Sequence, residues 1–323
     1  MKSSPTTRVG TQPKQNNVFG PLLCGVVIFA GCLAMAADTQ SGQSGREYSL
    51  VKTFKTGFTS AARGIAVTPE GRIYAAGDQA VHIIGPSGDH ASFPVPGEPT
   101  CIAISTNGLV YLGVGDHVVV IEHCGTEKAQ WIAASSNSVI TGIAAGRDSI
   151  WVADAGRREI LRYSPDGTIK GEWAGKTGPS DTNSLVVPSP HLDVAEDKDG
   201  NVWVSNPGRH QLQMRDASGT LLKTWGFFSH EDLAGFTGCC NPADFTIAPD
   251  GMIVTTDKGA LARVRVFDRD GKLLSTVADP QRLKAAELTR LGAGLDVATD
   301  AKGQIYVLNP ASRTVLVFAR KEK

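Results

Sequence analysis

The chain lacks almost every pattern that would announce a chemistry. Its six cysteines include no C-x-x-C spacing, which removes the usual zinc-ribbon and thioredoxin-type arrangements. It contains no G-x-S-x-G and no H-E-x-x-H, so neither a nucleophile elbow nor a zincin helix is present. Charge is sparse and balanced, 32 Lys and Arg against 32 Asp and Glu, with no basic run. Phosphate binding needs a concentrated positive field, so nucleic acid is excluded as an expected partner. Aromatic residues make up only 7%. Glycine, by contrast, is plentiful: 36 are spread along a chain that is 41% apolar. That is the makeup of a turn-rich β protein with ample length for a core.

Long apolar runs are scarce too, with one exception. Residues 18–37, "VFGPLLCGVVIFAGCLAMAA", are uncharged, follow Lys2, Arg8 and Lys14, and precede the polar linker "DTQSGQSGR". Basic, then apolar, then small residues is the order of an export signal. Three fates fit it: cleavage at Ala34-Met35-Ala36, lipid attachment at Cys32 in "FAGC", or an uncleaved segment long enough to span a bilayer. Each places the remainder outside the cytoplasm, periplasmic, secreted or tethered to a membrane, where disulfides persist. The expected division is an export signal or anchor with linker over 1–46 and a globular domain over 47–323.

That domain is built from a repeat. Six segments share an apolar start, a turn ending in Gly, an aromatic-centred strand, a polar turn, a further apolar run and a Gly turn. They are "GIAVTPEGRIYAAGD" (64–78), "CIAISTNGLVYLGVGD" (101–116), "GIAAGRDSIWVADAGRREILRYSPDG" (142–167), "LDVAEDKDGNVWVSNPGRHQLQMRDASG" (192–219), "DFTIAPDGMIVTTDKGALARVRVFDRDG" (244–271) and "LDVATDAKGQIYVLNPASRTVLVF" (295–318). Tyr74, Tyr111, Trp151, Trp203 and Tyr306 recur in the second strand, with Val254 in the fifth copy. Phe93, Trp131, Trp173, Trp225 and Val277 recur in an outer strand. The sixth copy lacks that strand, and "YSLVKTF" (48–54) supplies it from the other end of the domain. Six four-stranded units closed in this way predict an all-β, six-bladed β-propeller, because no single unit can bury both its faces.

The segments resemble the NHL repeat, whose unit reads roughly "P-x-G-I-A-V-D-x-x-G-x-I-Y-V-A-D-x-x-N-x-R-I-x-V-F-D-x-x-G"; 142–167 is the best match and the resemblance covers 48–318. The stretch "GCCNP…PDG…DKG…RVRVFD" is also similar to a group of secreted bacterial NHL-type propellers. The resemblance implies a six-bladed propeller. It leaves function open among scaffolds, lyases and lactonases, since a fold is not a function.

Spacing shows where the chain spends extra residues. Gly71 and Gly108 are 37 apart, whereas Gly200, Gly251 and Gly303 are 51 and 52 apart. The surplus falls in 175–190, 226–238 and 278–293, the last reading as a short amphipathic helix. All three lead into innermost strands, on what is termed here the top face, so blades 4–6 carry a raised rim suited to a protein or small-molecule ligand. Asp193, Asp244 and Asp296 begin these strands, where blades 1–3 have Gly64, Cys101 and Thr141. Converging carboxylates suit a hard divalent cation such as calcium, or zinc with His191 as a nitrogen ligand. The rival reading has each Asp hydrogen-bonding nearby backbone N–H groups in a turn.

The loops after the second strands present Asp154, Asn206, Asp257 and Asn309, followed by Arg157, Arg209, Arg263 and Arg313. Pairing of each Asp or Asn with its Arg is expected to fasten the loop. Lys258 and His210 break the repeat and read as ligand contacts. Cys239 and Cys240, followed by Asn241-Pro242, sit at the top of blade 5. A disulfide, a thiolate site for copper or zinc, and inert packing are the three readings of this pair. The candidate binding set is therefore Cys239, Cys240, Asn241, Asn206, Arg209, Lys258 and Asn309. The leading expectation is an exported binding module. A metal-dependent lyase or hydrolase, with His191, His210 and His230 as candidate catalytic groups, is the alternative. A copper-handling or redox protein centred on Cys239 and Cys240 is the third.

Overall fold

The computed structural model describes residues 47–321 apart from 61, 132–134, 174–180 and 182. The expected export signal over 1–46 lies outside these residues, as does much of the first extended loop.

The described residues form six four-stranded antiparallel sheets, five of them with their strands in sequential order. Blade 1 holds Gly64–Val67, Ile73–Gly77, Ala80–Ile84 and His90–Pro94, and blade 2 holds Pro99–Ile104, Val110–Val114, His117–Ile121 and Glu127–Trp131. Blade 3 runs through Ile140–Ala145, Ile150–Asp154, Glu159–Tyr163 and Ile169–Trp173. Blade 4 comprises Val194–Glu196, Val202–Asn206, Gln211–Arg215 and Leu221–Trp225. Blade 5 follows with Asp244–Ile247, Ile253–Thr256, Val264–Phe267 and Leu273–Ala278. Blade 6 has Asp296–Thr299, Ile305–Asn309 and Thr314–Arg320, completed by Tyr48–Lys55 from the start of the domain. Tyr48 faces Arg320 and Lys55 faces Thr314, with a bulge between Leu50 and Lys52. The six-bladed propeller and its mode of closure are as the repeat predicts.

Second strands such as Ile73–Gly77 and Val110–Val114 are buried throughout, which is why they read as unbroken runs of apolar and small residues. Apolar clusters fill the spaces between neighbouring blades; one combines Tyr74, Val81 and Phe93 of blade 1 with Ile102, Leu112 and Val119 of blade 2. The recurrent outer aromatics have a specific partner. Phe93, Trp131, Trp173 and Trp225 each lie on a turn glycine of the following blade: Gly125, Gly167, Gly219 and Gly271. A Cβ at those glycines would come within 2.9, 2.4, 2.4 and 2.6 Å of the rings. The same four glycines have φ between 85 and 94°. Two requirements, a left-handed turn and a flat ring overhead, thus select glycine at one position. The expected helix forms at Ala285–Leu291 and buries Ala285 and Leu288.

Candidate functional site at the channel mouth

The three aspartates stand where the innermost strands begin, and each reaches across to the next blade. Asp193 accepts the N–H of Phe245 at 3.1 Å, Asp244 that of Val297 at 3.1 Å, and Asp296 that of Ile65 at 2.9 Å. The backbone bonding expected of them is real, but it joins blade 4 to 5, 5 to 6 and 6 to 1 instead of closing local turns. Threonines do the same at two further seams. The Thr100 hydroxyl donates to the Ile140 carbonyl at 2.6 Å, and Thr141 to that of Leu192 at 2.7 Å. Between blades 1 and 2, Gly64 packs on Cys101 so closely that a Cβ would sit 3.1 Å from its Cα. The alternation of Asp, Thr and Gly is therefore one inter-blade fastening system in different residues.

The carboxylates also converge. Asp244 and Asp296 are within hydrogen-bond reach of each other, and Asp193 adds to the negative field. Burial pushes all three carboxyls up, Asp193 to about 8, Asp296 to about 7 and Asp244 well above the usual range, with like charge adding to it at Asp193 and Asp244. Two such groups in contact hold a proton between them. They line a channel cavity of about 210 Å³ together with Cys101 and Thr141. A second cavity of about 270 Å³ lies at the mouth, lined by Asp244, Asp296, His191, Arg63, Thr100 and Thr141 among others. Among the described residues, no three His, Cys, Asp or Glu side chains are grouped as a metal ion would require.

His191 lies against Gly294, where a Cβ would be 3.2 Å from its ring. Burial, and then the positive charge of Lys258, lowers its pKa to about 4, so the imidazole is neutral at ordinary pH. The Lys258 ammonium donates to the Ser189 hydroxyl at 2.9 Å. The side-chain amide of Asn241 accepts from the Lys258 N–H at 2.9 Å and donates to the carbonyls of Lys258 and Thr237. Asn241 thereby holds the backbone that carries Lys258. Cys240 is buried beside Ser189, Cys239 is exposed, and their sulfurs are 2.9 Å apart. Cys101, in blade 2, is buried, and Cys124 is exposed in a turn between the third and fourth strands of that blade.

Several expected ligand contacts turn out to be loop anchors. Asn206, fully buried, accepts from Val186 N–H and donates to the Ser184 carbonyl. Asn309 donates to Leu283 and accepts from Ala311 and Ser312. Asn241 is likewise buried, and the amides of all three are spent on backbone. Arg209 donates to the Asp181 carbonyl and the Ser184 hydroxyl. In blade 3 Asp154 accepts the Arg157 backbone N–H at 3.0 Å, and the expected pairing of side chains is seen in blade 5. There Asp257 takes Arg263 at 3.3 Å and, unforeseen from the repeat, Arg265 at 2.7 Å. Arg157 instead pairs with Glu159 and Glu172, and Arg313 donates to the Thr59 carbonyl.

His210 and His230 do not line the mouth cavity. They sit on the rim, each packed edge-to-face with the ring of Phe228. His210 Nε2 meets the Gly238 carbonyl, so that nitrogen carries the proton and cannot serve as a base. In the sequence Thr100, Ser189 and Arg63 are marked only by position: Thr100 near the start of an innermost strand, Arg63 just before one, and Ser189 two residues before His191.

No protein-family profile matches the chain, and no curated protein does. Solved structures do. Selenomethionine-substituted virginiamycin B lyase from Staphylococcus aureus aligns with TM-score 0.58 and 16% identity, over 85% of this chain and 100% of that one. A protein of unknown function from Bacteroides thetaiotaomicron aligns with TM-score 0.60 and 16% identity, over 86% of this chain and 73% of that one. The WD40 propeller domain of Doa1 gives 0.57 and 15%, over 86% and 98%. At these identities the shared property is the fold. The chain is a six-bladed β-propeller.

Proposed function

We propose that this propeller is an exported, NHL-like binding module that engages a protein or small-molecule ligand through the top face of blades 4–6. One observation carries the reading: a rigidly held loop that exposes apolar side chains. Phe227, Phe228 and Leu233 are 47%, 52% and 57% exposed on the loop into blade 5. That loop is clamped on itself, with Ser229 N–H on Phe236 and Phe236 N–H on Phe227 at 3.0 and 2.8 Å. From beneath, buried Arg265 donates to the carbonyls of Leu233 and Gly235 at 2.7 and 2.8 Å. Arg265 is in turn held by Asp257. Leu261 and Leu291 are exposed on neighbouring top-face loops. A surface that presents apolar groups without freedom to bury them is preorganised for a partner, and little ordering cost remains on binding.

Screening the full-length protein against peptide and small-molecule libraries by thermal shift tests this reading. Hits lost in Phe228→Ser/Leu233→Ser, with the melting temperature of the free protein unchanged, support it. Hits indifferent to those changes, but lost on altering the exposed outer-strand residues Ile169 and Leu222, overturn it. Repeating the screen with calcium, zinc and copper(I) added tests a cation requirement at the mouth. Fractionation of cells expressing the full chain tests export.

A further inference from the structure

We propose that Cys239 and Cys240 are a redox-active pair that forms a reversible disulfide between sequence neighbours, by exchange with a low-molecular-weight disulfide. This does not depend on the binding reading above. Adjacent residues on an extended strand send their side chains to opposite faces. Here the chain bends between strands, and the two sulfurs are brought to 2.9 Å. A single metal ion held by both thiolates needs them farther apart, since each metal–sulfur bond is about 2.3 Å long. The observed geometry therefore favours the bond between them over chelation.

The two thiols differ in the way exchange requires. Cys239 is exposed and open to attack on an external disulfide, whereas Cys240 is 2% exposed and sealed from it. Burial and then the Cys239 sulfur raise the Cys240 thiol, and the Ser189 hydroxyl and the Lys258 charge offset part of that rise. These two groups are already bonded to each other and support the thiolate as it forms. In the first step Cys239 thiolate attacks the external disulfide, forming a mixed disulfide and releasing one thiolate. In the second, Cys240 thiolate attacks the Cys239 sulfur, the Cys239–Cys240 bond forms and a second thiolate leaves. Two electrons pass from the pair to the external disulfide, and the two thiol protons end on the released thiols. Cys101 is buried in the innermost strand of blade 2, and Cys124 is exposed in a turn of that same blade, so neither is placed to pair with Cys239 or Cys240 in blade 5. A disulfide that is exposed, and closes the small ring between neighbours, belongs to the reducible class, not the structural one.

The test uses full-length protein, reduced and freed of reductant, then equilibrated with oxidised and reduced glutathione, quenched with acid and alkylated after denaturation. Trypsin releases residues 224–258 as one peptide containing only these two cysteines. The expected product is that peptide unalkylated and lighter by two hydrogens, restored by reduction, with a midpoint inside the glutathione range. In Cys240→Ser, a stable glutathione adduct should accumulate on Cys239, while it should be transient in the wild type. A Cys101→Ser/Cys124→Ser background should leave the result unchanged, and unaltered melting of each variant confirms folding. Recovery of the peptide alkylated at both cysteines under oxidising glutathione overturns the proposal. So does a lasting wild-type glutathione adduct on that peptide, or a cross-link from it to another chain.

Discussion

A carboxyl that fastens two blades and also faces a like-charged neighbour has opposed effects on stability. The bonds from Phe245, Val297 and Ile65 favour the ionised form, but burial outweighs them, with repulsion added at Asp193 and Asp244. The folded protein therefore holds protons that the unfolded chain releases, and stability should fall as pH rises from the usual carboxylate range towards about 8. Asp193→Asn keeps an oxygen to accept the Phe245 N–H and removes the charge. Its urea midpoint should exceed that of wild type at pH 8 and converge with it at pH 5. A difference that does not change with pH would show that the charge is already compensated. His191 works in the other direction. With its folded pKa lowered to about 4, its contribution is present above the unfolded value and is lost as pH falls towards 4. His191→Gln should flatten the acid limb and leave the alkaline limb alone. Asp257 is a different case, a buried carboxylate raised by desolvation yet held by two arginines. Arg265 is fully buried, so Asp257→Ala strands its charge and should cost about 3–5 kcal/mol in chemical denaturation.

At the scale of elements, the outer strands and the loops that follow them do different work. The strands latch each blade to the next through an aromatic ring on a glycine. Gly219→Ala would put a methyl against Trp173 at a residue with φ 91°, and should cost about 1–3 kcal/mol. The loop into blade 5 is held by Arg263 and Arg265 from below and exposes its phenylalanines above. Phe228→Ser should change stability by less than about 0.5 kcal/mol, because the ring is half exposed.

For the whole molecule the ring closes within blade 6, where Tyr48–Lys55 pairs with Thr314–Arg320, and Asp296 bonds Ile65 between blades 6 and 1. Removing residues 47–55 would expose the edge of Thr314–Arg320 and one face of its sheet. The expected outcome is a lower melting temperature with loss of hydrogen-exchange protection in all six blades. Protection lost only in blade 6 would mean that the blades fold independently.

The repeat was enough to determine the blade count, the split sixth blade and the raised rim. Each of these follows from local periodicity, turn glycines and the spacing between them, and these act over a few residues. Placing Asp193, Asp244 and Asp296 at the mouth was legible for the same reason. Their partners were not, because Asp193 meets Phe245 only once blades 4 and 5 have packed, and Asp296 meets Ile65 only once the ring has closed. Asn206 and Asn309 looked like ligand contacts because a repeated polar loop residue reads the same whether its amide faces solvent or backbone. Burial alone decided that they are anchors. Arg265 stands in what reads as an ordinary strand, and nothing near it in the chain announces that Asp257 and the Leu233 carbonyl will both be waiting. Local sequence selects the strands and turns; only packing of one blade on another decides which polar groups are spent and which remain free to act.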